Sequence, residues 1–187
     1  MKTKIFLSLV LLSFQSFAAD TFTVASEFSS VSFATIKKQF VVEPAAINGL
    51  TGNLDSSGKF NVSVPVGNIN TGVSIRDDRV SGLFFNAAYY PTVNITGQFD
   101  LSGLKQDITK VTVPAAVSFH GNSKTFNFPV IVTKTKNAIT VSSHTPVIVQ
   151  ASDFGIPAEN IANLAATVGG LALSDKVPLT VNLVFKK

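Results

Sequence analysis

The side chains that could do chemistry are few, and the densest group of them lies between residues 70 and 91. Neighbouring arginine and aspartate side chains can hold a loop by bidentate hydrogen bonds. An arginine at the mouth of a cavity can instead meet an anionic head group. We prefer the structural clamp, formed by Arg76 and Asp77, and the head-group interpretation stays open. The charged and aromatic candidates of this segment are Arg76, Asp77, Asp78, Arg79, Phe84, Phe85, Tyr89 and Tyr90.

Recognisable catalytic and metal-binding patterns are missing from the sequence. The absence of cysteine rules out cysteine nucleophiles and cysteine metal sites. His120 and His144 could bind a metal together with a carboxylate, but both fall on the polar face of a predicted strand, as surface histidines do. No Gly-x-Ser-x-Gly elbow and no glycine-rich phosphate loop appears. The sequence therefore predicts no catalytic residue, no metal site and no enzyme.

The elements that must position these residues are mostly strands. Apolar and polar residues alternate with period two along much of the chain, which is typical of half-buried strands. Turn residues separate the strands at 55–58 and 120–123. Eight or nine short strands with one apolar face each predict an antiparallel barrel or sandwich. The predicted strands are 21–24, 31–36, 50–54, 59–66, 92–99, 110–120, 124–133, 137–149 and 176–185.

One segment near the C-terminus changes period. After Pro157, apolar residues recur with helical spacing at Ile161, Leu164, Ala165 and Val168. Two consecutive glycines then end the pattern, as at a helix C-terminus. This spacing predicts a short amphipathic helix that could cap one end of a barrel.

The N-terminus has the features of an export signal. A short head with two lysines precedes an apolar stretch too short to span a bilayer. Ser16 and Ala18 are small residues at the spacing that signal peptidase requires. We expect a signal peptide over residues 1–18, cleavage after Ala18, and one exported domain over residues 19–187 without a stable membrane anchor.

Composition argues against nucleic acid as a partner and shows an unusual supply of phenylalanine. There are 15 Lys and Arg against 11 Asp and Glu, and no basic cluster with interleaved aromatic residues, so nucleic acid is not an expected partner. The chain has 16 Phe and no Trp. Phenylalanine supplies large apolar area without a polar group, which suits either an apolar ligand cavity or an ordinary packed core.

Several segments, taken in order, resemble one family. INTGVSIRDDRVSGLFFNAAYYPTV resembles the central signature of the YceI-like family, which comprises lipocalin-like bacterial periplasmic proteins. FSSVSF resembles the first strand of the family, SFHGNSKTFNFPVIV a later hairpin, ASDFGIP its Asp-Phe-Gly segment and VPLTVNLVFKK its last strand. One departure is Phe28, which stands where many members carry a histidine, so a ligand contact through that histidine would be lost.

This resemblance implies a fold, a compartment and a ligand. The fold is an all-β, eight-stranded antiparallel lipocalin-like barrel with an elongated apolar cavity, and the compartment is the periplasm. The ligand would be a polyisoprenoid, such as the tail of a quinone or a polyprenyl phosphate, with no other cofactor. Alternatives are another lipid such as a fatty acid or amide in a stress-protective role, or an enzyme or redox partner acting on a bound quinone. Transient membrane contact and a homodimer are compatible with each of these three functions.

The apolar rows of the strands would face the inside of such a barrel and line the cavity. Periodicity cannot distinguish a hollow barrel from a packed one, because the same rows of apolar side chains could line the first or fill the second. The expected lining comprises Phe33, Val62, Val64, Ile95, Phe99, Val117, Phe119, Phe126, Phe128, Val130, Val141, Val181 and Leu183. The expected mouth or clamp comprises Arg76, Asp77, Arg79, Phe84, Phe85, Tyr89 and Tyr90.

Overall fold

Twelve strands form one antiparallel sheet in the computed structural model, which describes residues 21–38, 40–104 and 107–187. The predicted signal peptide lies outside the described residues. The strands are β1 (Thr21–Val24), β2 (Ser30–Lys37), β3 (Val41–Ile47), β4 (Thr51–Asp55), β5 (Lys59–Pro65), β6 (Ile69–Asn70), β7 (Thr92–Gln98), β8 (Ile108–Phe119), β9 (Asn122–Lys134), β10 (Ala138–Ser143), β11 (Val147–Gln150) and β12 (Lys176–Lys186). Two α-helices accompany them, α1 (Ser74–Arg79) and α2 (Ala158–Ala166).

The sheet closes on itself because β1 pairs with both β4 and β12. Around the ring the order is β1, β4, β5, β7, β8, β9, β10 and β12, which makes an eight-stranded barrel. The predicted eight-stranded antiparallel barrel with a short helix near the C-terminus is confirmed. At one end, which we call the upper end, β2, β3, β6 and β11 extend the wall beyond this ring.

The longest hairpin joins β8 to β9 and ends at the upper end. Phe119 pairs with Asn122, so the turn consists of His120 and Gly121 alone. Both turn residues have positive φ, 47° and 78°, as a type I′ turn requires. This register puts Val117 and Phe119 on the inner face with Phe128, as the alternation predicts.

The secondary structure predicted from sequence patterns differs from the structure in three segments. The predicted strand 137–149 is two strands, β10 and β11, with a break between Ser143 and Val147. Strand β3 was not predicted, because its VVEPAAI sequence does not alternate and contains a proline. Helix α1 was not predicted either, because six residues of sequence SIRDDR carry no apolar period.

The lower half of the barrel is filled with side chains. Leu54 and Ile139 are completely buried there, and Phe185 is nearly so. Interiors packed in this way leave few voids large enough for a ligand. Room for a ligand inside the barrel therefore lies in the upper half, where the cavity described below is found.

None of the helices in the described part of the chain has the length and apolarity needed to cross a bilayer.

Candidate functional site

A cavity of about 370 Å³ occupies the upper half of the barrel. Its wall is formed by inward-facing side chains of the strands, and its roof by the two helices and two short turns. Most of these side chains are apolar, and the polar ones lie mainly toward the upper edge. The wall residues are Val31, Phe33, Ile47, Val64, Val93, Ile95, Val117, Phe119, Phe128, Val149, Val177 and Leu179.

The roof is formed by two segments that run across the upper end. One is α1 with the wider helical turn that follows it, Val80–Phe84, and the other is α2. Asn160 Nδ2 donates a hydrogen bond to the Phe84 carbonyl oxygen at 2.9 Å. Arg79 Nη1 donates to the Thr167 carbonyl oxygen at 3.4 Å. These two bonds join the segments, so the roof is one connected layer.

An aromatic cluster attaches the roof to the β8–β9 hairpin. The ring of Phe119 meets Phe85 and Phe154 edge-on at centroid distances of 5.9 and 6.4 Å. His120 stacks on Tyr90 at 3.8 Å, and its Nε2–H donates to the Phe85 carbonyl oxygen at 2.9 Å. His120 is therefore a partly buried structural residue, which corrects its interpretation as a surface histidine.

The turn Ala151–Phe154 closes another side of the cavity. Gln150, which precedes the turn, and Asp153 within it form a capping box, in which each side chain accepts from the backbone N–H of the other residue. Burial would raise the pKa of the Asp153 carboxyl, but hydrogen bonds from Lys124 and Gln150 outweigh burial and lower the pKa. Asn122 Nδ2 donates to the Phe154 carbonyl oxygen at 2.9 Å, which ties the turn to β9.

Lining residues that are also exposed show where the cavity opens. They are Val73, Ile75, Val168, Ser174 and Asp175, and we call the opening that they border the mouth. Beside them, Glu43 Oε1 accepts from Lys37 Nζ at 2.8 Å and from Arg76 Nη2 at 3.0 Å. All three charged side chains line the cavity. The site thus combines an apolar interior with charged groups at its edge.

Arg76 and Asp77 bind different partners, which corrects the predicted clamp. Arg76 pairs with Glu43 on β3. Asp77 Oδ1 accepts hydrogen bonds from the Thr71 backbone N–H at 2.8 Å and from Thr71 Oγ1 at 2.6 Å. Asp77 therefore fixes the connection from β6 to α1, and Arg76 fixes α1 against the wall.

These partners predict different stabilities for two alanine variants. Asp77→Ala should lower the free energy of unfolding by about 1–3 kcal/mol, because the Thr71 donors lose a partly buried charged acceptor. Arg76→Ala should cost only about 0–1 kcal/mol, because the pair is partly solvated and Glu43 keeps Lys37 as a partner. Urea denaturation of both variants measures the difference. A larger loss for Arg76→Ala would contradict these assignments.

The predicted lining residues separate into two groups. Phe33, Val64, Ile95, Val117, Phe119 and Phe128 line the cavity. Val62, Phe126, Val130, Val141, Val181 and Leu183 are buried but lie outside its lining. Phe99 packs against Phe60 at a centroid distance of 6.2 Å, also away from the cavity. The barrel is therefore hollow over only part of the predicted wall, and ligand contact by the first group stays a prediction.

The predicted mouth residues also divide. Arg76, Arg79, Phe84 and Phe85 line the cavity, whereas Asp77, Tyr89 and Tyr90 do not. Sequence analysis missed the lining residues of the roof, among them Ile75, Val80, Phe154, Ile156, Ile161 and Leu164. For Ile161 and Leu164 a signal existed, because the period of α2 marks them as its apolar face.

The barrel, the roof and the cavity can be compared with known proteins. A model of the YceI-like domain matches residues 14–185 of the chain. The chain belongs to the YceI-like family. The resemblance of the central signature is thereby confirmed. None of the curated proteins compared with the chain matches it.

Two solved structures share the YceI-like fold of this chain. A polyisoprenoid binding domain from Saccharophagus degradans, implicated in plant cell wall breakdown, has a TM-score of 0.80 at 24% identity and covers 88% of this chain and 97% of its own. BcnA from Burkholderia cenocepacia has a TM-score of 0.64 at 19% identity and covers 86% of this chain and 98% of its own. Both are similarities of fold.

Phe28, at which we expected a departure from the family pattern, lies outside the cavity. Phe28 is exposed and its ring lies under Lys186 Nζ, at 4.2 Å from the ring centroid. Glu27 also pairs with Lys186, at 3.3 Å. Phe28 does not line the cavity, so its substitution for histidine leaves the cavity wall described above unchanged.

Proposed function

We propose that the protein holds a lipid with a polyisoprenoid tail in the cavity, with the head group at the mouth, as a periplasmic carrier or reservoir. The observation that carries this proposal is an apolar cavity with a group of paired charged residues, Lys37, Glu43 and Arg76, at one edge. A lipid is divided in the same way, into an apolar tail and a polar or charged head group. Membership of the YceI-like family and the likeness to a domain described as polyisoprenoid binding support the tail chemistry.

The energetics of tail binding fit this cavity. Burial of each methylene contributes about 0.8 kcal/mol, so ten contribute about 8 kcal/mol before costs. Ordering a flexible chain offsets much of that gain. A cavity of about 370 Å³ lies near the lower end of ligand pockets, which span roughly 300–1,000 Å³. We therefore expect it to hold a short tail or one part of a longer tail.

Binding fits the lining better than catalysis does. A nucleophile needs a base within hydrogen-bond reach, and His120 and His144 are both absent from the lining of the cavity. Within the described residues, no group of three or more His, Asp or Glu side chains could hold a metal ion. The polar lining residues, such as Thr35, Thr71 and Gln150, can orient a ligand without reacting with it.

Organic extraction of the purified protein, followed by mass spectrometry, tests the proposal. We expect one lipid in near-stoichiometric amount whose fragments are spaced by isoprene units. An unrelated exported protein, purified from the same cells in the same way, controls for carried-over membrane lipid. An acyl-chain series would instead establish a fatty acid or amide as the ligand. Protein that contains no lipid, and takes up none from an added prenyl lipid, would contradict both.

The periplasmic part of the proposal has its own test. Because Ser16 and Ala18 have signal-peptidase spacing, the protein should be recovered in the periplasmic fraction with Ala19 as its first residue. Intact-mass measurement of that fraction reads the N-terminus directly. A product that keeps residues 1–18, or one that stays with the membranes, would show that the export prediction is wrong.

A further inference from the structure

A ring of exposed apolar side chains borders the mouth. Of the large apolar side chains that are exposed within the described residues, six of twelve belong to this ring, which we call the apolar rim. The tip of the β2–β3 hairpin and the residues at either side of the opening supply it. Its members are Phe40, Val41, Val42, Val73, Ile75 and Val168.

The members of the apolar rim lie together because of sheet register and the fold of the roof. Val73, Ile75 and Val168 themselves line the mouth. Val41 and Val42 pair with Lys37 and Ile36, which also line the cavity. Phe40 precedes them at the hairpin tip with 85% of its surface exposed. Soluble proteins rarely gather exposed apolar side chains in one patch unless that patch meets an apolar partner.

The charged residues that line the cavity are nearly balanced in sign. Lys37, Arg76 and Arg79 are the basic lining residues, and Glu43 and Asp175 are the acidic ones. Glu43 already binds both Lys37 and Arg76. Lys38, exposed at the tip of the β2–β3 hairpin, adds one further positive charge beside the rim. We therefore expect the apolar rim to supply most of the affinity for a membrane, with a smaller electrostatic contribution.

We propose that the apolar rim inserts into the surface of a phospholipid bilayer and joins the cavity to the membrane. This inference rests on the proposed function, because it concerns how a lipid would enter and leave the cavity. A tail that left through water would expose every methylene that the cavity buries. A rim seated at the level of the acyl chains gives the tail a continuous apolar route. A second copy of the chain on the same surface would close the mouth instead.

Vesicle flotation with two matched double variants tests this insertion. Val42 and Ile108 have nearly equal exposure, 60% and 62%, and Phe28, at 53%, supplies an exposed ring to match that of Phe40. Phe40→Thr/Val42→Thr should lower partitioning onto phosphatidylcholine vesicles about tenfold or more, since two apolar side chains no longer enter the bilayer. Phe28→Thr/Ile108→Thr, which changes an exposed ring and an exposed aliphatic side chain that do not line the cavity, should leave partitioning unchanged. Replacing a quarter of the phosphatidylcholine by phosphatidylglycerol should raise partitioning by a smaller factor than Phe40→Thr/Val42→Thr lowers it, because Lys38 adds a single positive charge to the nearly balanced charges of the cavity lining.

The outcomes separate this inference from the proposed function. The protein used starts at Ala19 by mass, so that the predicted signal peptide cannot itself bind vesicles. Flotation that fails for the unmodified protein, or that falls equally for both double variants, overturns the insertion even if extraction finds a lipid. Flotation that depends on the rim supports insertion even if extraction finds no lipid. A dimer in light scattering that Phe40→Thr/Val42→Thr dissociates, without any vesicle binding, assigns the rim to a second copy and also overturns it.

Discussion

Val117→Phe is expected to remove most of the lipid that co-purifies with the protein, while changing the free energy of unfolding of the empty protein by less than about 1 kcal/mol. Val117 projects from β8 into the cavity. The larger ring can occupy space that is already there, so it displaces ligand instead of neighbouring side chains. The lipid-to-protein ratio after organic extraction and the urea midpoint of delipidated protein measure the two effects.

Val130→Phe provides the matched control for this experiment. Val130 is an inward-facing valine on the neighbouring strand β9, but it is almost completely buried and does not line the cavity. The same enlargement there should overpack the core and cost about 1–3 kcal/mol. Folded Val130→Phe protein should still contain lipid. Equal destabilisation by both enlargements, with no lipid in the unmodified protein, would show that the upper half of the barrel is as solid as the lower half.

This contrast shows where sequence analysis of the barrel stops. Alternation on β8 and β9 correctly places Val117 and Val130 on the inner face, because side chains of a strand alternate strictly between faces. Alternation cannot show that Val117 borders the cavity whereas Val130 does not. Val117 lines the cavity beneath the roof, which is assembled by contacts such as the one between Asn160 and Phe84. Contacts between residues so distant in sequence leave no local pattern.

The charged segment shows a second limit. Arg76 and Asp77 are adjacent in sequence, which suggested that they bind each other. On a helix, however, adjacent residues project in different directions and do not face one another. Once the segment is the helix α1, Arg76 reaches Glu43 on the wall and Asp77 reaches back to Thr71. The partners of both residues depend on the helix, which the sequence did not predict.

The two halves of the barrel should also respond differently to loss of a phenylalanine. Phe185→Ala is expected to lower the free energy of unfolding by about 3–5 kcal/mol, because the change removes a nearly fully buried ring and leaves a void in packed core. Phe33→Ala should cost only about 1–2 kcal/mol in the empty protein. Phe33 is partly exposed to the cavity, so its ring makes fewer contacts that can be lost.

The variant that costs less stability should change the bound lipid more. Phe33→Ala enlarges the cavity, whereas Phe185→Ala leaves the cavity wall intact. We expect the Phe33→Ala protein to retain lipid with a longer or bulkier tail than the unmodified protein does, and the folded Phe185→Ala protein to retain the same lipid. Urea denaturation of delipidated protein and mass spectrometry of the extracts measure both properties. A cost for Phe33→Ala as large as that for Phe185→Ala would mean that Phe33 belongs to a packed core, and that the lipid, if present, lies elsewhere.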